Sequence, residues 1–143
     1  YGTVEVRIAD SMPSLVDTVA VATFVQALAI KIGNSWEEGI IDKPTPNWLI
    51  ERNRWAAIKE GLNAKFITDL EGNTLPIKDV IKQLTKEITP IAESLGSLNR
   101  LNELENIFNS DNMVQNMRNL HKEGSLDGLV KELQNILINS LKY

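Results

Sequence analysis

Seven apolar residues, Ile77, Val80, Ile81, Leu84, Ile88, Ile91 and Leu95, recur at intervals of three and four before Gly96. An α-helix puts residues three and four apart on one face, so this spacing requires an amphipathic helix whose apolar stripe is covered by other elements. Pro90 lies inside the stripe, removes one backbone donor, and predicts a kink in the turn before it.

Covering elements of the same kind lie on both sides. Upstream, Pro13 and polar capping candidates precede Leu15, Val19, Thr23, Phe24, Ala27 and Leu28, and Gly33 reads as the C-terminal stop of a long buried helix. Residues 34–44 read as an irregular connection. "TPNWLIERNRWAAIKEG" then offers Thr45 as a cap, Pro46 at the first helical position and Gly61 past the end. Downstream, Ser97, Asp111 and Ser125 stand as caps before three further apolar stripes separated by short loops, which favour antiparallel neighbours. Between the second and third helices, "KFITDLEGNTLPI" has two short apolar runs around Asp69, Glu71, Gly72 and Asn73, the chemistry of a β-hairpin. His121 falls near the end of a helix, where it suits the C-terminal dipole better than general-base work.

The N-terminus follows a different period. In "VEVRIAD", Val4, Val6 and Ile8 alternate with Glu5 and Arg7, so an extended strand carries an apolar face and a charged one. Asp10 leaves this strand and is placed to cap the first helix or to hold Arg7. The chain begins with Tyr1 and enters the strand at once, as expected of a piece of something longer. The expected fold is mainly α, an antiparallel helical bundle with one N-terminal strand and a small β-hairpin.

Composition narrows the function classes. A chain of 143 residues, 43% of them hydrophobic, is long enough for one domain with a core. A net charge of -4 without a run of Lys or Arg argues against nucleic acid as a partner. There is no cysteine and a single histidine, so any metal would be held by oxygen. The longest apolar stretch, residues 19–32, is broken by Thr23, Gln26 and Lys31 and falls short of the roughly 20 residues a membrane span needs. A cytoplasmic protein without a membrane partner is expected.

Glu5 and Arg7 stand two residues apart on one strand face, about 6.6 Å between Cα atoms at the usual rise, and can reach one ligand. A carboxylate beside a guanidinium suits a magnesium-bound phosphate, the first as a hard oxygen ligand and the second as a forked donor. The same alternation equally describes the solvated face of a half-buried strand.

"GTVEVRIAD" followed by a Pro and a long apolar helix, together with "NRWAAIKEGLNAKFITDLEGNTLP", resembles the C-terminal part of bacterial carboxylate-amine ligases of the glutamate-cysteine ligase type 2 family. The resemblance is strongest over residues 2–32 and 51–76. The Glu-x-Arg strand also resembles its counterpart in the wider glutamine synthetase superfamily, which implies Glu5 as a metal ligand and Arg7 as the catalytic contact to the transferring phosphate. It implies that residues 1–143 form the C-terminal portion of a single α+β catalytic domain, whose sheet walls an active-site cup. The implied cofactors are ATP and Mg2+. The implied substrates are small molecules, glutamate with cysteine or another amine, joined through an acyl phosphate. The remaining metal ligands would lie upstream of Tyr1, so the isolated piece is expected to be inactive.

"ERNRW", residues 51–55, is the second patch carrying this resemblance. Arg54 is placed to reach nucleotide phosphates and Asn53 to hydrogen-bond a substrate. A helix anchored by Trp48 and Trp55, with its polar residues in surface ion pairs, is the alternative for the same pattern. At the level of the whole chain the alternatives are a non-catalytic helical interaction domain and a superfamily ligase with a different amine acceptor. An unpaired N-terminal strand also offers an edge through which copies could form a homo-oligomer.

Overall fold

The computed structural model describes residues 3–9, 11–40, 45–109 and 113–142. Helix α1 spans Leu15–Glu37. Ser14 starts it: the Ser14 hydroxyl accepts from the Asp17 N–H at 3.2 Å, and the Thr18 hydroxyl donates to the Ser14 carbonyl at 2.8 Å. Asp10, the other capping candidate, lies outside the described residues.

Gly33 does not end this helix. The chain continues helical for another turn to Glu37 and stops where Gly39 turns to φ 72°. A helical glycine costs only about 1 kcal/mol relative to alanine, too little to outweigh four further residues that extend the backbone ladder. Residues 34–37, expected in a loop, are therefore helical.

Helix α2 spans Asn47–Glu60 and leads through a 3-10 turn, Gly61–Asn63, into β1, Lys65–Ile67. Thr45 does not cap α2. Pro46 stands at the cap with ψ 138°, and its carbonyl accepts from the N–H groups of Leu49 and Ile50 at 3.0 and 3.3 Å. Strand β2, Thr74–Pro76, pairs antiparallel with β1 in the register Phe66 opposite Leu75, as the hairpin chemistry required. Gly72 supplies φ 89° in the turn, and the Asp69 carboxylate accepts from the Asn73 backbone N–H and side-chain amide at 2.9 and 2.6 Å.

Helix α3, Ile77–Ser94, accommodates Pro90 in one continuous element and ends where Gly96 takes φ 66°. The stretch after Ser97 folds as two short helices rather than one, α4 at Leu98–Asn102 and α5 at Leu104–Asn109. Ser97 occupies the cap position without a capping side-chain bond, because its hydroxyl donates back to the Ala92 carbonyl. Helices α6, Met113–Glu123, and α7, Leu126–Ser140, complete the chain. Ser125 caps α7 by accepting from the Gly128 N–H, and His121 lies in the last turn of α6 as expected. Asp111 lies outside the described residues.

The core lies where α1 crosses α3, α4 and α5. Ala20 and Ala27 of α1, Ile88 and Ala92 of α3, and Leu101 are wholly buried, with Leu104 beside them. Alanines at these positions let the helices approach closely, while Phe24, Leu28 and Phe108 close the sides. Lys31 and Glu87 bridge α1 and α3 at 3.2 Å. Contrary to the sequence expectation, α1 is long and apolar enough to cross a membrane by length and composition. Here its Ala20–Ala27 face is taken up by the core, which is how the central helix of a helical body behaves.

The body is mainly α with one small antiparallel sheet, in agreement with the sequence. The first and last helices meet where the Ser140 hydroxyl of α7 accepts from the Leu15 N–H at 3.0 Å, satisfying one of the free donors at the start of α1.

Candidate functional site

Glu5 and Arg7 belong to an N-terminal segment that joins no sheet among the described residues. The strand expected there does not form: residues 3–9 carry no strand, and the chain bends at Ile8. The apolar residues of this segment find little core either: Val4 is 82% and Ile8 79% exposed. The Glu5 carboxylate lies 3.6 Å from Arg7 Nε, and both side chains stand in solvent. Exposed pairs of this kind contribute little to stability.

Ile8 nevertheless borders an open groove of about 980 Å3 between the N-terminal segment, α2, β1 and α3. Its walls include Leu49, Asn53, Arg54, Phe66 and Leu84. The fold therefore brings the end of the Glu-x-Arg segment and the "ERNRW" helix to one concavity. Arg54 lies at this groove with Nη1 3.8 Å from Glu51 Oε1, one turn back on the same exposed face of α2.

Asn53 is engaged differently. Its Nδ2 donates to the Ile67 carbonyl at 2.9 Å, and its Oδ1 accepts from the Ile67 N–H at 2.8 Å. Since the Thr68 N–H donates to the Asn73 carbonyl and the Ile77 N–H to the Ala64 carbonyl, the alternation of an antiparallel ladder turns the polar groups of Ile67 away from β2, and the Asn53 carboxamide fills the place a third strand would take. Trp48 and Trp55 do not anchor α2, being 56% and 59% exposed. Leu49, the buried residue of α2, and the Asn53 clamp hold the helix instead. Periodicity alone does not reveal this clamp, although an Asn in mid-helix, where it is intrinsically unfavourable, is the one hint.

Two carboxyl groups away from the groove have shifted acidities. Burial pushes the Asp17 carboxyl up; the Ser14 hydrogen bond opposes the rise and Glu103 adds to it. The hydrogen bonds from Asn73, side chain first and backbone second, hold the Asp69 carboxyl below the usual range. Both are accounted for by the cap and the turn in which they sit.

Magnesium demands near-octahedral oxygen coordination. Among the described residues no group of three or more acidic or histidine side chains gathers, and the charged neighbour of the Glu5 carboxylate is Arg7. The described residues do not compose a magnesium site by themselves.

The sequence is 36% identical over 104 residues to a Frankia casuarinae protein provisionally designated glutamate–cysteine ligase 2-1, covering 72% of this chain and 27% of that protein. It is 30% identical to a Thermobifida fusca protein with a like provisional designation, covering 94% of this chain and 35% of the relative. A third, from Nocardia farcinica, is 31% identical, covering 93% and 37%. The chain thus spans about a quarter to two fifths of the length of the curated relatives it matches. Residues 1–132 match the family described as Glutamate-cysteine ligase family 2, a match that includes the Glu-x-Arg segment, α2 and the hairpin. The chain belongs to the glutamate-cysteine ligase family 2.

Proposed function

We propose that these residues form the C-terminal portion of the catalytic domain of an ATP-dependent carboxylate-amine ligase that joins glutamate to cysteine or a similar amine. The family match over residues 1–132 carries this reading. In the proposed reaction a carboxylate oxygen of glutamate attacks the γ-phosphorus of ATP and ADP departs. The amine then attacks the acyl carbon, the C–O bond to phosphate breaks, and the amide and inorganic phosphate leave. Such a reaction depends on neutralising charge on the transferring phosphoryl group more than on covalent help from the protein.

Arg7 is assigned the forked contact to the phosphoryl oxygens, and Arg54 the nucleotide phosphates from the groove it borders with Ile8. Asn53 belongs to the nucleotide side of the same groove. Glu5 contributes one carboxylate to a magnesium ion whose other ligands come from outside this chain; the ion supplies charge neutralisation when bound. The substrates are small molecules, the location is cytoplasmic, and neither membrane nor nucleic acid takes part. By this account the 143 residues alone do not turn over ATP. The exposed backbone of residues 3–9 is also the edge through which isolated copies would associate.

The solvent exposure of Glu5 and Arg7 favours a second reading, a helical interaction module decorated by a surface ion pair. An assay of the intact polypeptide separates the two. ADP formation that requires glutamate, an amine and magnesium, and that falls about 100-fold or more in Arg7→Ala, is the expected result. Unchanged turnover in Arg7→Ala removes the assignment of Arg7, and a folded intact protein without ATP turnover supports the interaction module.

A further inference from the structure

The polar edge of β1 is closed by a helix side chain, and the neighbouring residue on that helix is the cation of the groove. We propose that Asn53 is a positioning residue for Arg54, acting through the Ile67 backbone rather than by touching a ligand. The proposal rests on the ligase reading for its functional part and on geometry alone for its structural part.

The geometry is specific. Both bonds between the Asn53 carboxamide and Ile67 are short, 2.8 and 2.9 Å, and together they reproduce the paired exchange of a peptide group with its neighbour in a sheet. No other side chain of this length carries a donor and an acceptor in one plane: Asp would keep the bond from the Ile67 N–H but set a carboxylate against the Ile67 carbonyl. Asn competes for backbone hydrogen bonds and weakens a helix from within, so its place in the middle of α2 calls for a tertiary bond of this kind. The helix has few other holds on the body. It meets the rest of the fold chiefly through β1 and the 3-10 turn, Leu49 is its buried residue, and Trp48, Trp55 and Ile58 are exposed.

The clamp therefore fixes the rotation of α2 about its own axis. One residue on, about 100° around the helix, Arg54 borders the groove that Ile8 also lines. A helix free to roll on the hairpin would carry the Arg54 guanidinium away from that groove, and misplacement of a charged group by about 1 Å can cost roughly 100-fold in rate. Asn53 thus governs where the Arg54 charge stands with respect to the segment bearing Glu5 and Arg7.

Two measurements on the intact protein test this. Hydrogen exchange at the Ile67 amide reads the clamp without reference to catalysis: it is expected to accelerate about fivefold or more in Asn53→Ala and to stay unchanged in Arg54→Ala. Unaltered Ile67 exchange in Asn53→Ala overturns the clamp. The kcat/KM for ATP, measured in Asn53→Ala, Arg54→Ala and the double variant, reads the positioning role. A loss of about 10- to 100-fold in each single variant, with no further loss in the double variant, is expected if Asn53 acts through Arg54. Losses that multiply, or a loss in Asn53→Ala that a melting-temperature decrease fully accounts for, overturn positioning in favour of a direct or merely structural role. Absence of ATP turnover in the unmodified protein overturns the ligase reading and with it the positioning role, and leaves Ile67 exchange to judge the clamp.

Discussion

Asp17 and Asp69 show how one residue type takes opposite properties from its surroundings. Asp17 sits partly buried in the first turn of α1, so its charged form is disfavoured, whereas the charged form of Asp69 accepts the Asn73 hydrogen bonds. The signs follow by linkage. The folded pKa of Asp69 is depressed, so its contribution to stability is present above the unfolded value and is lost as pH falls through the folded one. That of Asp17 is raised, so the folded state holds the proton more tightly; its burden on stability at neutral pH is relieved as pH falls through the raised value toward the ordinary one. Carboxyl titration by NMR should place Asp17 above and Asp69 below an ordinary aspartate, and Asn73→Ala should return Asp69 toward the ordinary value. An Asp69 titration unmoved by Asn73→Ala would contradict the assignment. At this scale the sequence was informative where a residue's partner is local: the Ser125 cap and the Asp69–Asn73 turn are both read within four residues. The Asn53–Ile67 and Ser140–Leu15 bonds join residues 14 and 125 positions apart, and no local pattern encodes them.

Among the elements, the end of α1 is where local signals misled. Two glycines compete, Gly33 and Gly39, and the intervening residues can extend the helix, so the ladder runs through the first and ends at the second. A methyl group at Gly33 would meet nothing within 4 Å, whereas Gly39 holds φ 72°, a conformation strained for any other residue. Gly33→Ala is therefore expected to stabilise the protein by about 0.5–1 kcal/mol and Gly39→Ala to destabilise it by a similar amount or more, as read by thermal or denaturant unfolding. Destabilisation by Gly33→Ala would mean that the turn from Asn34 to Glu37 is not helical in solution. The break at Glu103 between α4 and α5 is the same kind of failure: the apolar stripe continues through it, but Leu101 and Leu104 are drawn into the core from two separate short helices. The hairpin and the end of α3 at Gly96 were legible because the conformations they need, at Gly72 and Gly96, are ones only particular residues adopt readily.

At the scale of the molecule, the alternating N-terminal pattern announced a strand that residues 3–9 do not form, because it could not announce a partner for one. Alternation states that two faces differ and says nothing of which strand lies alongside. The mainly α architecture was legible for the opposite reason, since the stripes of α1 and α3 are each other's natural cover. Arg54 lines the groove, Glu5 and Arg7 pair on the N-terminal segment whose Ile8 also lines it, and among the described residues no group of three or more acidic or histidine side chains gathers. The central claim, that the intact polypeptide activates a carboxylate by phosphorylation, is tested most directly by isotope transfer. Glutamate labelled with 18O in its carboxylates is incubated with ATP, magnesium, cysteine and the intact protein, and the released phosphate is analysed by mass. Passage of one labelled oxygen into phosphate, dependent on the amine, is the expected result; release of unlabelled phosphate would contradict the acyl-phosphate ligase.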